Sequence, residues 1–159
     1  MEYLKATPEH DDILITHYLA IWNSYGTPPD HICFDARLKV HRLIEEGRQS
    51  RELATFIALD GATAAGSVSC QVHLSPYPDV LRQDVHKRGY IWSVFVEPAY
   101  RRQGISRLLT QLAVEYLRSA GCTAVVLHAS EAGKPVYASL GFKPATEMRL
   151  TFGETSSEA

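Results

Sequence analysis

Three arginines crowd one short turn of this chain. Arg101, Arg102 and Arg107 fall in or just beyond the run RRQGIS, Arg101–Ser106, which follows the apolar stretch YIWSVFV starting at Tyr90. Beyond the turn, Ile105, Leu108, Leu109, Leu112, Ala113, Tyr116 and Leu117 recur at helical spacing, and Gly121 sits where a left-handed cap would end the helix. Cations at a helix N-terminus oppose the positive end of the macrodipole, at about 0.3–1 kcal/mol each when exposed. The free N–H groups of a first helical turn suit a phosphate or pyrophosphate, and Gly104 lets the backbone come close to it. An anion held among the arginines reconciles them with the dipole. A solvated basic turn is the plainer alternative, and taken alone the turn favours anion binding only modestly.

The elements that must position this turn follow from pattern. Tyr3–Ala6 reads as a short strand, and Asp11 or Asp12 caps a helix carrying Ile13, Leu14, His17, Tyr18, Ile21, Trp22 and Tyr25 along one side. Gly26 and Pro28-Pro29 break it. A second helix runs from Asp35 to Glu46 with Gly47 as its stop. Leu53–Leu59, an Asp60-Gly61 turn and Gly66–Leu74 form an antiparallel hairpin. Ser75–Gly89 is polar and without period, a connection long enough to be functional or unstructured. After the strand and helix of Tyr90–Gly121 come a β-branched strand, Thr123–His128, a short helix through Val136, Tyr137 and Leu140, and a closing strand region, Phe142–Phe152. The strand–helix–strand unit implies a parallel pair with a right-handed crossover, so the sheet is mixed.

Composition excludes several classes. The formal net charge of −2 argues against a general nucleic-acid binder. The N-terminus lacks the basic start and apolar core of a signal peptide, and no apolar run approaches the ~20 residues of a membrane span. Cys33, Cys70 and Cys122, odd in number and without a CxxC pair, read as reduced thiols of a cytoplasmic protein. The dinucleotide fingerprint GxGxxG and the GxSxG elbow are absent, and Ser67 stands where a P-loop spaced from Gly61 and Gly66 would need lysine. No HExxH pair or Cys/His cluster points to a metal.

Taken together, VEPAYRRQGISRLL and the downstream PVYASLGF resemble the GNAT superfamily of acetyl-CoA-dependent N-acetyltransferases. The family loop has Arg or Gln, two variable residues, Gly, one variable residue, then Gly or Ala. Arg101, Gly104 and Ser106 occupy those places, Ser106 departing from the apolar norm while remaining small. The resemblance covers Tyr90–Phe142 well, and the order of the earlier elements suits the family. It implies a mixed α/β (α+β) three-layer fold, with a twisted mixed sheet of about six to seven strands flanked by about four helices. One domain would span residues 1–152, with 153–159 a short polar tail.

The resemblance also implies site residues. Arg101 opens the loop, and the amides of Arg102, Gln103, Gly104, Ile105 and Ser106 hold the CoA pyrophosphate. The open edge of Ser93–Val96, Phe95 and Val96 included, pairs with the pantetheine arm. Pantetheine carries amides that can extend a sheet edge, and a free N–H near Val96 would polarise the thioester carbonyl as its oxygen gains charge. Tyr137 matches the tyrosine that many members use as general acid toward the departing thiolate. With a reference pKa near 10 it is protonated at neutral pH, and a packing tyrosine is the alternative. Ser130 stands where many members carry Asn beside CoA, and Gly133 where many carry Ala.

An ammonium acceptor must lose a proton before attack. Glu97 follows the central strand and His128 ends its neighbour, so either is a candidate base. Tyr90 and Ser93 ordering a water wire is another route. Asp84 and His86 in the long loop are placed to close over substrate, or simply to face solvent. Trp22, Tyr25 and Phe34 would wall the acceptor pocket or pack in the core.

The function expected is transfer of acetyl from acetyl-CoA, as cosubstrate, to a small-molecule or peptide primary amine by direct attack in a ternary complex, without metal, nucleic acid or membrane. The alternatives are a non-catalytic acyl-CoA-binding or regulatory module on the same fold, and a partner-binding domain whose basic turn meets a phosphorylated protein. A short Phe142–Phe152 segment, where relatives build two closing strands, leaves a sheet edge for a second subunit and so a possible homodimer.

Overall fold

One sheet presents two faces, and the chain covers one with a pair of helices and the other with a single long helix. The structure, a computed structural model, describes residues 1–152. Its strands are β1 Glu2–Lys5, β2 Ala54–Asp60, β3 Thr63–Val72, β4 Arg88–Val96 and β5 Ala124–Leu127, in the spatial order β1-β2-β3-β4-β5. Every neighbouring pair is antiparallel except β4 and β5. The helices are α1 Asp11–Ser24, α2 Ala36–Ser50, α3 Ile105–Ser119 and α4 Lys134–Ser139. The crossover β4-α3-β5 gives the parallel pair that the strand–helix–strand pattern requires.

Helix α3 lies on one face because Ile105, Leu109, Ala113 and Leu117 recur every fourth residue. These four are buried against Ala58, Ala65, Val68, Cys70 and Ile91 of the sheet. Full burial of a leucine such as Leu109 or Leu117 is worth about 1.5–3 kcal/mol. On the other face Leu14 and Ile15 of α1 and Val40 and Ile44 of α2 enclose Leu53 and Ile57. Burial drives the Cys70 thiol up to about 12, so it is an inert core group. All three cysteines are free. No helix among the described residues is long and apolar enough to cross a membrane.

Several expectations are corrected. Among the described residues the sheet has five strands, not about six to seven, because residues 143–152 follow α4 without pairing to β5. The tail expected at 153–159 lies outside the described residues. Helix α2 runs through Gly47 to Ser50. A Cβ at Gly47 would stand 2.6 Å from Leu53 Cδ1, so this glycine answers a packing requirement and not a helix stop. Asp11 does not cap α1 from outside. It begins the helix, and its buried carboxylate accepts two hydrogen bonds from Arg48 of α2, at 2.5 and 2.8 Å. That bidentate pair ties the two helices together, and removing Arg48 would strand a buried carboxylate.

His17, on the sheet-facing side of α1, is only 3% exposed, with Nδ1 2.9 Å from Ser67 Oγ of β3 and its ring 4.9 Å from that of Phe95. Burial lowers its pKa below the usual 6.5, against the opposing pull of Glu97, whose Oε1 is 3.7 Å from Nε2. The unfolded chain therefore takes up this proton first as the pH falls. The stability that neutral His17 contributes is present above 6.5 and is lost on acidification from there toward the folded-state value. Urea denaturation should give a lower midpoint at about pH 5.5 than at about pH 7.5, and His17→Gln should remove part of that difference.

Candidate active site

The site is made by two strands that part. β4 and β5 pair from Arg88–Ala124 to Ile91–Leu127, after which β5 ends while β4 continues to Val96. On its other side β4 is bulged: Ser67 and Ser69 of β3 oppose Phe95 and Trp92, so Ser93 and Val94 together face Val68. Ser93 takes a left-handed φ of +54°, which re-aims the strand where it leaves β5. Among the described residues, no strand pairs with the β5-facing edge of β4 beyond Ile91. That edge is the one expected to be open, and its backbone groups are available to a ligand that can complete a ladder.

At the mouth of the parting lies a small cavity of about 80 Å³, lined by Tyr25, Ile91, Trp92, Ser93, Val94, Leu127, His128, Ser130 and Tyr137. Tyr137, one turn into α4, is 9% exposed and stacks edge-on against Phe142, with centroids 5.9 Å apart. A Cβ at Gly133 would come within 2.7 Å of the Tyr137 ring, so the glycine at that place leaves room for it. Burial, reinforced by nearby Tyr25, pushes the Tyr137 phenol up to about 12. It therefore holds its proton at any ordinary pH. Ser130 is taken up locally, its Oγ accepting the Gly133 N–H at 3.2 Å in the turn before α4.

The basic turn lies where β4 runs out. A short 3₁₀ turn, Pro98–Tyr100, leads into Arg101, whose Nε donates back to the Val96 carbonyl at 3.1 Å. Arg102 and Gly104 both have left-handed φ, +62° and +79°, and this curls the backbone just before α3. The first turn of α3 has no acidic residue and no side-chain cap, so its N–H groups have no partner within the helix. Around Gly104 the space is open, with no atom within 4 Å of where a Cβ would project. Arg101, Arg102, Gln103 and Gly104 are exposed while Ile105 is fixed in the core. An unblocked, curled set of amides with arginines beside it is the chemistry of an anion cradle.

The remaining candidates divide. Phe95 is buried with its ring against His17, so only its backbone can meet a ligand. Glu97 lies with Oε1 3.7 Å from Nε2 of His17 on α1 and is not among the residues lining the cavity. His128 lines the cavity, with Nδ1 2.5 Å from Tyr90 Oη and Nε2 against Glu147. Asp84 is engaged by Arg82 within its own loop, and His86 is near Asp79. Tyr25 lines the cavity, Trp22 stands edge-on between Tyr18 and Tyr25, and Phe34 is fully exposed. Two participants escaped the sequence reading. Trp92 brings a buried indole Nε1 with no hydrogen-bond partner, and Glu147 reaches His128 from beyond α4. Nothing in the local sequence marks either.

Comparison with known proteins places this geometry. The profile of the acetyltransferase (GNAT) family matches residues 16–142. N-alpha-acetyltransferase 30 of Schizosaccharomyces pombe is 34% identical over 95 residues, which cover 55% of this chain and 56% of that protein. Glucosamine 6-phosphate N-acetyltransferase of Trypanosoma brucei brucei is 41% identical over 63 residues, covering 39% and 43%. The matched stretch is thus about half the length of these relatives. Among solved structures, a predicted acetyltransferase with acetyl-CoA from Clostridium acetobutylicum superposes with a TM-score of 0.80 at 20% identity, covering 95% of each chain. A GCN5-related N-acetyltransferase from Ralstonia eutropha gives 0.77 at 24%, covering 95% of this chain and 97% of that one. At these identities the structural likeness is one of fold, and the profile match, across most of the chain, carries the assignment: this protein belongs to the GNAT acetyltransferase family.

Proposed function

We propose that the protein transfers an acetyl group from acetyl-CoA to a primary amine by direct attack in a ternary complex. The observation that carries this reading is the parting of β4 from β5 after Ile91 and Leu127, with the amide cradle at one end and Tyr137 beside it. The amides of Arg102–Ser106 would take the pyrophosphate, with Arg101, Arg102 and Arg107 adding charge. The exposed backbone of Ser93–Val96 would pair with the pantetheine amides and bring the thioester to the cavity. An N–H near Val96 would stabilise the oxyanion as the carbonyl is attacked.

Tyr137 would serve the leaving group. The buried phenol is fully protonated at neutral pH, so a proton is at hand for the sulfur as the C–S bond breaks. It donates its hydrogen bond to sulfur as charge develops there and so acts as the acid of the reaction. Direct attack needs only positioning and polarisation, and no covalent acyl-enzyme. The acceptor would be a small-molecule or peptide amine: the two relatives' names carry an alpha-amine and the amine of glucosamine 6-phosphate. Cytoplasmic work would keep the three free cysteines reduced.

The association proposed is a homodimer through the uncovered edge of β5. An open groove of about 390 Å³ runs along it, lined in part by Val114, Val125, Leu140 and Phe142. Met148, Leu150 and Phe152 alternate with polar residues and are 95, 77 and 86% exposed. A segment with strand periodicity and one apolar side suits such an edge on a second copy.

Three outcomes are expected. Acetyl-CoA should raise the melting temperature, by the equivalent of about 2.7 kcal/mol at a hundredfold excess over its dissociation constant. Gly104→Val should abolish this shift; normal CoA binding by that variant would refute the cradle. In amine-acetylation assays Tyr137→Phe should lower turnover by about 10²–10⁴-fold with little change in acetyl-CoA affinity, and unchanged turnover with chemistry rate-limiting would return Tyr137 to packing. Light scattering should give a dimer mass, and a monomer mass across micromolar concentrations would exclude the β5 interface.

A further inference from the structure

His128 has both ring nitrogens engaged. Nδ1 lies 2.5 Å from Tyr90 Oη, and Nε2 meets the Glu147 carboxylate. An ionised carboxylate only accepts hydrogen bonds, so Nε2 must carry the hydrogen. In the neutral ring Nδ1 is then an acceptor, and the hydrogen between His128 and Tyr90 belongs to the phenol. The His128 hydrogen bond holds the Glu147 carboxyl below the usual carboxylate range, with Arg149 adding a smaller pull from 3.9 Å. Glu147 is thus an anion at neutral pH and fixes the tautomer.

Position gives this chain of contacts a use. Tyr90 is on β4 just before the strands part, and His128 follows the last residue of β5 and lines the cavity that Tyr137 also lines. The His128 side chain is 59% exposed, open to water on its outer side. Glu97, the other candidate base, has its carboxylate 3.7 Å from His17 Nε2 and is not among the residues lining the cavity.

We propose that His128 accepts the acceptor's proton through the Tyr90 hydroxyl, and that Glu147 is the positioning residue that keeps Nδ1 free to take it; this rests on the acetyl-transfer reading above. The acceptor ammonium gives a proton to Tyr90 Oη as Tyr90 passes its own to His128 Nδ1. The resulting imidazolium stays paired with Glu147 and sheds the proton to solvent. The freed amine attacks the thioester carbon, the C–N bond forms, and the C–S bond breaks. The second nitrogen proton ends on the CoA sulfur by way of Tyr137, which donates one proton and recovers another. Ammonium and acetyl-CoA become amide, free CoA thiol and one released proton, so atoms and charge balance.

The test uses the full chain with ¹⁵N-labelled histidine. The wild-type spectrum at neutral pH should show His128 protonated at Nε2 and accepting at Nδ1, and Glu147→Gln should give mixed tautomers. With acetyl-CoA and either glucosamine 6-phosphate or a peptide bearing a free N-terminus, E147Q should lower kcat about tenfold or more while KM for acetyl-CoA stays put, and Glu147→Asp should recover part of the loss. A wild-type ring protonated at Nδ1, or an E147Q protein with wild-type tautomer and kcat, overturns the proposal. If neither amine is acetylated and acetyl-CoA gives no thermal shift, the acetyl-transfer reading fails, and the tautomer measurement still reports on Glu147 separately.

Discussion

Everything at the candidate site depends on a ladder that stops early. β5 has four residues, and all of them are used against Arg88–Ile91, so the last five residues of β4 run on without a neighbour on that side. The bulge at Ser93 turns this into a directed parting, because the extra residue bends β4 away while β3 keeps its hold on the other edge. Unpaired backbone in a sheet normally invites aggregation. Here the free edge runs from Ile91 toward the Arg101–Ser106 turn, with the cavity that Tyr137 lines beside it.

The helix layers keep the two sides of the parting where they are. α3 begins with Ile105 in the core, which anchors the turn before it, and the space around Gly104 in that turn is open. On the opposite face, the bidentate Asp11–Arg48 pair joins α1 to α2 and so sets where Tyr25, at the end of α1, meets the cavity. The aromatic run Tyr25, Trp22, Tyr18 and Trp92, edge against face, then carries the wall of the cavity from the helix to the strand.

What could be read in the residues was whatever is local. The period of α3, the glycine in its turn and the alternating strands are properties of neighbours in sequence, and the turn with its arginines lay open to inspection. The misreadings are all tertiary. Gly47 has the look of a helix stop but answers to Leu53, and Asp11 has the look of a cap but answers to Arg48. Phe142–Phe152 alternates like a strand, yet a strand also needs an edge to join, and no residue pattern names that edge. Glu147 is one of eighteen acidic residues, and only the fold brings it to His128. Glu97 and His128 looked equivalent as strand-end residues; the difference is what each side chain meets, His17 of α1 for one and the cavity for the other.

The brevity of β5 also divides the cleft mechanically. β3 is paired along both edges and largely buried, whereas β5 has β4 as its one strand neighbour, packs Val125 and Leu127 against the α3-side core, and has no fully buried residue. His128 is therefore joined to the sheet by one short ladder, while β4 stays paired with β3 as far as Val96. Backbone amides of β5 should thus exchange with solvent ahead of those in β3.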